Sequence, residues 1–379
     1  PVSTMTDLQL VHKPAVIFDI GSGNCKAGMS GEDLPTAVVP SVVGHLSDRS
    51  AMLGAGQQPY YVGEMAMSKR AILDLVFPIK EGIVKSWDNM IKIWKYLYKY
   101  ELKKPSSEHP VFLTEAPLNP LRNRHKMAEI FFENFNVPAM YVSHQANLAL
   151  YASGLTTGIV LDVGAGITHT VAIYDGVALP HAVSKLPVAG RTITQYLMKL
   201  LTENGYNFIT AAEREIVRDI KEKLCYIALD PSAEYERNPK DITKEYTLPD
   251  GNVIKIDSQL FRAPEALFSP SNIGLEAPGV QGLINNIIQK CPIDIRRALL
   301  SNVVLSGGST LFPGFDERVL RELEKKAPDG VQIKVLAATD RKYSVWIGAS
   351  VLSSMDSFKE NWIRKSEYDE FGPSIVHQK

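Results

Sequence analysis

The chain has 379 residues, of which 45% are hydrophobic, so it is long enough to form at least two domains with substantial cores. Its 41 basic and 42 acidic residues give a formal net charge of −1, which offers no support for nucleic-acid binding or for attraction to an anionic membrane. No apolar run is long enough to span a bilayer, and the chain begins without a basic region followed by an apolar core, so we expect neither membrane insertion nor secretion.

Cysteine usage points to a reducing environment. Cys25, Cys225 and Cys291 are odd in number and share no close spacing. This pattern argues against a disulfide framework and against a zinc site. We therefore expect a cytoplasmic protein.

The first element in chain order is a glycine hairpin that occurs twice. AVIFDIGSGNCKAG (Ala15 to Gly28) indicates a buried strand, an Asp, a Gly-x-Gly turn and a second strand, and GIVLDVGAGITHTVAIYDG (Gly158 to Gly176) repeats this pattern without a gap. The repeat pairs Asp19 with Asp162, Gly21 with Gly164, Gly23 with Gly166 and Lys26 with His169. We therefore predict two related halves. Glycine turns let backbone N–H groups approach polyphosphate closely because no Cβ intervenes, so two facing turns would clamp one nucleotide.

Between the two hairpins we predict a loop and two helices. His45 to Tyr60 is rich in Gly, Ser and Gln and carries Met52 and Leu53, which suggests a mobile loop with an apolar tip. Asn119-Pro120 opens one helix. Ser86 is the N-cap of the other, whose apolar residues recur at helical spacing and belong to the core: Trp87, Met90, Ile91, Trp94, Leu97 and Tyr98.

Beyond the second hairpin we predict one more helix and two loops. Thr210 to Glu213 is a capping box, and the spacing of the helix that follows places Lys221 and Glu222 off its apolar stripe. The charged, proline-broken segment 230–247 is typical of a solvated surface loop, to which we assign no function. NVVLSGGSTLFPGF, at 302–315, is a third glycine loop before a helix beginning near Pro313, and it is a separate candidate ligand contact. The alternation of strands and helices favours an α/β class with a mixed sheet.

The hairpins supply residues suited to a metal and to phosphate. Asp19 and Asp162 end strands from opposite halves and suit a hydrated Mg²⁺, which keeps several waters and takes few carboxylates; alternatively, each Asp only caps its turn. Lys26 can place a point charge on the outer phosphates, or it is an ordinary solvated lysine. Ser22 can donate its hydroxyl and its backbone N–H to the terminal phosphate.

Longer segments carry a family resemblance. They are LTEAPLNP (Leu113 to Pro120), FNVPAMYV (Phe135 to Val142), YASGLTTGIVLD (Tyr151 to Asp162), EREIVRDIKEKLCYIALD (Glu213 to Asp230) and RKYSVWIG (Arg341 to Gly348). Through them the chain resembles actin and the closer actin-related proteins over nearly its whole length. The wider superfamily of sugar kinases and heat-shock chaperone ATPases shares only the duplicated hairpins. The resemblance implies an actin-like ATPase fold, with two related lobes around a nucleotide cleft and ATP or ADP bound with Mg²⁺ or Ca²⁺.

The resemblance also implies four subdomains. Their bounds are 1–40, 78–152 and 344–379 for subdomain 1, 41–77 for subdomain 2, 153–188 and 276–343 for subdomain 3, and 189–275 for subdomain 4.

The resemblance assigns site residues as well. In actins, the counterparts of Gln145 and His169 surround the attacking water, and Gln145 also serves the metal through water, whereas His144 has no catalytic share. Phosphate contacts are implied for Gly21, Ser22, Gly23, Lys26, Gly164, Ala165 and Gly166. Adenosine contacts are implied for Gly190, Arg191, Lys221, Glu222, Gly307, Gly308, Leu311, Phe312 and Lys342, since glycines with Leu311 and Phe312 can form a flat apolar slot.

The chain departs from the actin pattern at several positions. Ile20 replaces an Asn of the first hairpin, Ala165 replaces a second acid, and Glu81 stands where conventional actins have a histidine. Phosphate contacts through the backbone survive these changes because they depend on the glycines, whereas the replaced side chains bear on turnover. Asn272 lies in FSPSNIGLEAP (268–278), an apolar plug between strands in actins, where an aromatic residue is usual.

The predicted function is that of a cytoskeletal, cytoplasmic protein that binds Mg-ATP, hydrolyses it slowly and polymerises head-to-tail. The loop at 45–60 would insert into a groove that also receives actin-binding proteins, lined by Tyr151, Gly154, Thr156, Ile347, Val351 and Leu352. A second hypothesis is an actin-related adaptor that holds nucleotide structurally without polymerising. A small-molecule kinase is a third, disfavoured by matches that extend beyond the hairpins.

Overall fold

The computed structural model describes residues 11–46, 58–328 and 330–378. The chain forms two compact units, unit 1 (Pro1–Leu155 and Tyr343–Lys379) and unit 2 (Thr156–Lys342). The finer division into four subdomains stays a prediction. Met52 and Leu53, the apolar tip of the predicted loop, lie outside the described residues.

The strands and helices are numbered in chain order. The strands are β1 (Val16–Ile20), β2 (Asn24–Met29), β3 (Ala37–Pro40), β4 (Val43–Leu46), β5 (Tyr60–Val62), β6 (Leu73–Val76), β7 (Ile79–Lys80), β8 (Ile83–Val84), β9 (Val111–Glu115), β10 (Ala139–His144), β11 (Gly158–Val163), β12 (Thr168–Tyr174), β13 (Val177–Leu186), β14 (Lys244–Thr247), β15 (Val253–Ile256), β16 (Val303–Ser306), β17 (Val335–Leu336) and β18 (Ile363–Arg364). The α-helices are α1 (Glu64–Ser68), α2 (Trp87–Tyr96), α3 (Leu121–Glu129), α4 (Gln145–Ala152), α5 (Gly190–Glu203), α6 (Ala211–Leu224), α7 (Pro231–Glu236), α8 (Pro239–Ile242), α9 (Gln259–Glu265), α10 (Val280–Lys290), α11 (Ile293–Leu300), α12 (Phe315–Glu324), α13 (Ser344–Ser354) and α14 (Lys365–Phe371).

The main sheets of the two units share a topology of five strands, to which unit 1 adds β18, antiparallel to β10. In unit 1 the strand order is β18-β10-β9-β1-β2-β3, and in unit 2 it is β13-β12-β11-β16-β17. In each, a three-stranded antiparallel meander is followed by two further strands that run parallel to its first strand. The duplication and the α/β class predicted from the repeated hairpin are therefore confirmed. The parallel strands of each sheet end at one edge, which is where ligands bind in open α/β sheets.

Aromatic packing fixes the helices of unit 1. Trp94 of α2 is fully buried, and its ring lies 4.8 Å from that of Phe131, in the turn that continues α3. Ser86 stands at the N-cap of α2 as predicted, although its hydroxyl accepts a hydrogen bond from the Asn89 side chain. Helix α3 begins at Leu121 with Pro120 as its N-cap, one residue later than predicted.

Helices α4 and α13 of unit 1 cross where Gly348 meets the Leu148 backbone, and any Cβ at Gly348 would collide with the Leu148 carbonyl group. This close approach requires glycine. It fixes the orientation of α4, whose first residue is Gln145.

Two predictions for unit 2 are wrong. Segment 230–247 contains α7, α8 and β14 rather than a loop, because Asp230 and Asn238 cap the two short helices through their side chains. Lys221 is buried in the packed face of α6, not off it. Helix α12 begins at Phe315 behind Gly314, close to the predicted start near Pro313. Within the described ranges, none of the helices combines the length and hydropathy needed to cross a bilayer.

Candidate functional site

The carboxylate at the first hairpin is tightly bound by its neighbours. Asp19 on β1 lies opposite Lys26 on β2, and the Lys26 ammonium is 2.6 Å from Oδ2 of Asp19. Oδ1 accepts a hydrogen bond of 2.8 Å from the hydroxyl of Thr114 on β9, and that hydroxyl accepts another from the Ile20 backbone N–H. Because both carboxylate oxygens are engaged, Asp19 suits a metal reached through water.

Gln145 joins this network from the start of α4. Its Nε2 atom donates to the Ile20 carbonyl oxygen at 3.0 Å and lies 3.3 Å from both Asp19 Oδ1 and Thr114 Oγ1. Strands β9 and β10 bring these groups together, since both run parallel to β1 and end at the same edge. The structure therefore unites the predicted residues Asp19, Lys26 and Gln145.

The first glycine turn is closely supported. A Cβ at Gly21 would stand 2.6 Å from the Asn24 carbonyl oxygen, so the turn accepts no larger residue without moving. Ser41 donates its hydroxyl to the Gly21 carbonyl oxygen at 2.7 Å and its backbone N–H to the Gly23 carbonyl oxygen at 2.9 Å. Ser22 is buried and its hydroxyl accepts a 3.0 Å hydrogen bond from the Gly82 N–H.

The second hairpin repeats the register with different chemistry. Asp162 lies opposite His169, as Asp19 lies opposite Lys26, and its Oδ2 accepts a 2.6 Å hydrogen bond from Ser306 on β16. His169 is only 3% exposed, and neither ring nitrogen has a hydrogen-bond partner among the residues that the structure describes. Burial lowers the pKa of His169, although the Asp162 charge opposes the shift, so the imidazole is neutral at pH 7.

The second glycine turn is docked against two other segments of unit 2. The Gly164 carbonyl oxygen accepts from the Gly190 N–H at 3.0 Å and from the Ser309 hydroxyl at 2.9 Å, and the Ala165 carbonyl oxygen accepts from the Arg191 N–H at 2.8 Å. A Cβ at Gly190 would stand 2.7 Å from the Ser309 hydroxyl oxygen, so glycine is required at this junction. The hairpin, the start of α5 and the third glycine loop therefore meet.

Lys221 supports the same junction, whereas Glu222 does not. The buried Lys221 ammonium donates to the Gly190 carbonyl oxygen at 3.0 Å, and burial lowers the pKa of this lysine. Glu222 is exposed and pairs at 3.3 Å with Arg218, one turn earlier on α6.

The third glycine loop is held by Arg341. Gly307 has φ of +88° and donates its N–H to the Arg341 carbonyl oxygen, while the Arg341 guanidinium donates to both oxygens of Thr310 at 2.9 Å. Leu311 is 38% exposed, but Phe312 is buried in the unit 2 core. Leu311 is therefore the apolar side chain of this loop that remains available to a ligand.

The remaining predicted contacts are placed by the same loops. Gly166 and Gly23 complete the two turns, an added Cβ at Gly308 would meet nothing within 4 Å, and Lys342 is exposed. Sequence reasoning missed Thr114, Ser306, Ser309 and Arg341. The duplication offered one signal for the first two, since each lies on the strand parallel to an Asp-bearing strand.

The donor set fits a hydrated divalent cation rather than a metal enclosed by protein. Within the described residues, no group of three or more His, Cys, Asp or Glu side chains could hold a metal ion. Mg²⁺ typically keeps several waters and is held by one or two carboxylates together with substrate phosphates. Asp19 in unit 1 and Asp162 in unit 2 are each a carboxylate suited to such a hydrated ion.

A protein-family model described as Actin matches residues 11–379.

Proposed function

The chain belongs to the actin family, and we propose on that basis that it binds ATP or ADP with Mg²⁺ or Ca²⁺, hydrolyses ATP slowly and assembles head-to-tail into filaments. The observation that carries the proposal is the repeated hairpin, in which Asp19 and Asp162 occupy equivalent registers before a glycine turn. Such turns present backbone N–H groups to an anion.

Each hairpin has its own part in nucleotide binding. Gly21, Ser22 and Gly23 with Lys26 act on phosphates from unit 1, and Gly164, Ala165 and Gly166 do so from unit 2. The junction of Gly190, Arg191 and Lys221 with Gly307, Gly308 and Leu311 receives the adenosine. Its three-way hydrogen bonding gives a rigid platform for a flat base.

Hydrolysis requires a water held in line with the terminal phosphate. Phosphoryl transfer depends mainly on positioning and charge stabilisation, and the bound cation neutralises charge that develops on the phosphate oxygens. The amide nitrogen of Gln145 donates to the Ile20 carbonyl oxygen, and this contact also fixes the direction of the amide oxygen. The neutral imidazole of His169 offers one donor and one acceptor nitrogen to a water.

A second candidate function is an adaptor that holds nucleotide structurally without polymerising. Asn272 lies exposed in a short 3-10 turn (Pro270–Ile273) and presents an amide where filament contacts are apolar in actins. Ala165 offers no carboxylate at the second turn. These features favour weaker assembly and weaker turnover.

Calorimetry tests nucleotide binding first. Folded protein stripped of carried-over ligand is titrated with ADP and Mg²⁺, and we expect saturable heat at one equivalent. Absence of heat would overturn both functions.

Pelleting in Mg-ATP, read together with phosphate release and electron microscopy, then separates the two. A filament-forming ATPase enters the pellet and releases phosphate, whereas the adaptor binds nucleotide and stays in the supernatant. His169→Gln should slow phosphate release by about tenfold or more if the imidazole positions the water. The matched variant His181→Gln alters an exposed histidine of unit 2 and should leave the rate unchanged.

A further inference from the structure

Unit 1 contains a hollow of about 350 Å³ that shares no residue with the proposed nucleotide site. The turn between β8 and α2 forms one wall, and the first turns of α3 form the other. The residues that matter for its chemistry are Lys85, Trp87, Pro120, Arg122, Asn123 and Lys126. We propose that this hollow binds a small organic anion carrying two or more phosphate groups.

Local geometry brings the cations to one place. Lys85 donates its backbone N–H to the Pro78 carbonyl oxygen at 2.8 Å, which fixes the residue just before α2. Pro120 sets the start of α3, and Arg122 and Lys126 are four residues apart and therefore lie on one face of that helix. Three basic side chains from two elements thus line the same hollow.

Two of these cations, Lys85 and Arg122, lack within the described ranges the acidic partners that a purely structural role would give them. Neither Lys85 nor Arg122 forms an ion pair or a side-chain hydrogen bond with any residue that the structure describes. Arg122 lies in the first turn of α3, which contains no acidic residue, although the positive end of a helix favours acids and disfavours cations. An anion in the hollow would offset both features.

The third cation, Lys126, already forms an ion pair within the protein. The Lys126 ammonium is 2.7 Å from Glu129, and the pKa of Lys126 is raised chiefly by that hydrogen bond and by the Glu129 charge, with smaller contributions from Glu133 and Asp88. The main attraction for a ligand therefore comes from Lys85 and Arg122. Arg is well suited to phosphate because its planar fork donates two parallel hydrogen bonds.

The interior of the hollow suits an organic phosphate more than a bare ion. Trp87 is half-buried and provides a flat apolar surface, and Asn123 is only 6% exposed, with its amide nitrogen bound to the Asn119 side chain at 2.8 Å. A single phosphate group would leave much of the volume unfilled. A molecule with several phosphates can engage both free cations and cover the indole.

Trp87 also provides the measurement. The other tryptophans, Trp94, Trp346 and Trp362, are at most 2% exposed, so only Trp87 can respond directly to a solute. With Mg²⁺ in fixed excess and the protein saturated with ADP, tryptophan fluorescence is titrated with inositol hexakisphosphate and with pyrophosphate. We expect saturable quenching and protection of Trp87 from iodide.

Paired variants test the assignment. Lys85→Ala/Arg122→Ala should weaken binding of inositol hexakisphosphate by about tenfold or more. Lys95→Ala/Lys104→Ala removes the same charge from exposed positions of unit 1 outside the hollow and should change affinity less than about twofold. Trp87→Phe should remove the fluorescence response while calorimetry still detects binding. All variants alter exposed or half-buried residues, and unchanged thermal unfolding would verify that they fold.

Three outcomes overturn the proposal: no saturable binding either to inositol hexakisphosphate or to phosphoinositide vesicles, equal loss in the Lys95/Lys104 control, or equal affinity for citrate, which would show a site for any polyanion. In a separate experiment, binding of the protein to vesicles that contain phosphoinositides is measured. Binding to free inositol phosphates identifies a soluble ligand, and binding to the vesicles alone identifies a lipid headgroup; both support the phosphate chemistry. The nucleotide site is already saturated, so failure here is distinct from failure of the proposed function.

Discussion

The hairpins of unit 1 and unit 2 share a backbone pattern but pair their side chains differently. In unit 1, Asp19 is neutralised by Lys26 and held by Thr114. In unit 2, Asp162 accepts from the Ser306 hydroxyl, and the imidazole of the residue opposite it, His169, has no hydrogen-bond partner in the described part of the chain. Lys221, a buried cation at the junction beside the second hairpin, meets a carbonyl oxygen instead of a carboxylate.

The duplication preserves the backbone of the hairpins but not the side chains that face the aspartates. Strand register and the Gly-x-Gly turn are preserved, because they determine where backbone N–H groups point. Side chains opposite the carboxylate are not preserved, so the first hairpin forms a stable ion pair and the second retains an imidazole available for hydrogen bonding. We infer that the first hairpin mainly stabilises its own turn through the ion pair, whereas the second mainly presents an imidazole for hydrogen bonding.

The largest expected difference concerns the two aspartates. Asp19→Asn leaves the Lys26 ammonium, whose side chain is 18% exposed, without its acid and should destabilise unit 1 by about 3 kcal/mol. Asp162→Asn keeps an oxygen that accepts from Ser306 and should cost about 1 kcal/mol. Urea unfolding of nucleotide-free protein measures both, with exposed Asp33→Asn as the control. Equal losses in the two variants would contradict the comparison.

Much of this arrangement could be predicted from the sequence, because it depends on local patterns. The hairpin register follows from the position of Asp and Gly-x-Gly between apolar strands, and the capping box at Thr210 formed as predicted, with the Thr210 hydroxyl accepting from the Glu213 N–H at 3.2 Å. The partners of the aspartates could not be predicted in the same way. Thr114 is 95 residues from Asp19, and only the parallel pairing of β1 with β9 joins them.

Lys221 shows a second limit. Helical spacing predicts which positions face the core, but not that a long aliphatic stem can enter a packed face when its ammonium finds an oxygen. That oxygen belongs to Gly190, 31 residues away, at a junction built from three loops.

The glycine turns give the next largest difference. Gly21→Ala forces a Cβ to within 2.6 Å of the Asn24 carbonyl oxygen and should destabilise the protein by about 2 kcal/mol. At Gly164 the nearest atom, the Ile167 carbonyl oxygen, would be 3.4 Å away, so Gly164→Ala should change stability by less than about 0.5 kcal/mol. Thermal unfolding of the two variants side by side provides the measurement. A larger loss at Gly164 would mean that the second turn is the tighter one.

The neutral His169 predicts a pH dependence for the second hairpin, whereas the first hairpin contains no histidine. Its folded pKa lies below the unfolded value of about 6.5, so the unfolded state binds the proton first and stability falls as pH drops below about 6.5. The slope attributable to this residue approaches about 1.4 kcal/mol per pH unit. His169→Gln should remove that part of the slope between neutral and acid pH, and His181→Gln should retain it. Denaturation at a series of pH values decides between them.

A small effect is expected at Lys221, because a buried cation facing only a carbonyl oxygen gains little net stability. Lys221→Met keeps the aliphatic stem and removes the cost of burying the ammonium, so stability at pH 7 should change by no more than about 1 kcal/mol. The wild-type pKa is lowered by burial, so the unfolded state holds the proton more tightly and stability rises with pH in the alkaline range. The methionine variant should lack that rise. Denaturation at mildly and strongly alkaline pH measures it: the free energy of unfolding should increase with pH in the wild type and not in the variant. By contrast, Lys26→Met leaves the buried Asp19 carboxylate without its cation and should be clearly destabilising. Similar losses of stability in the two variants would show that Lys221 is paired more strongly than its single carbonyl contact implies.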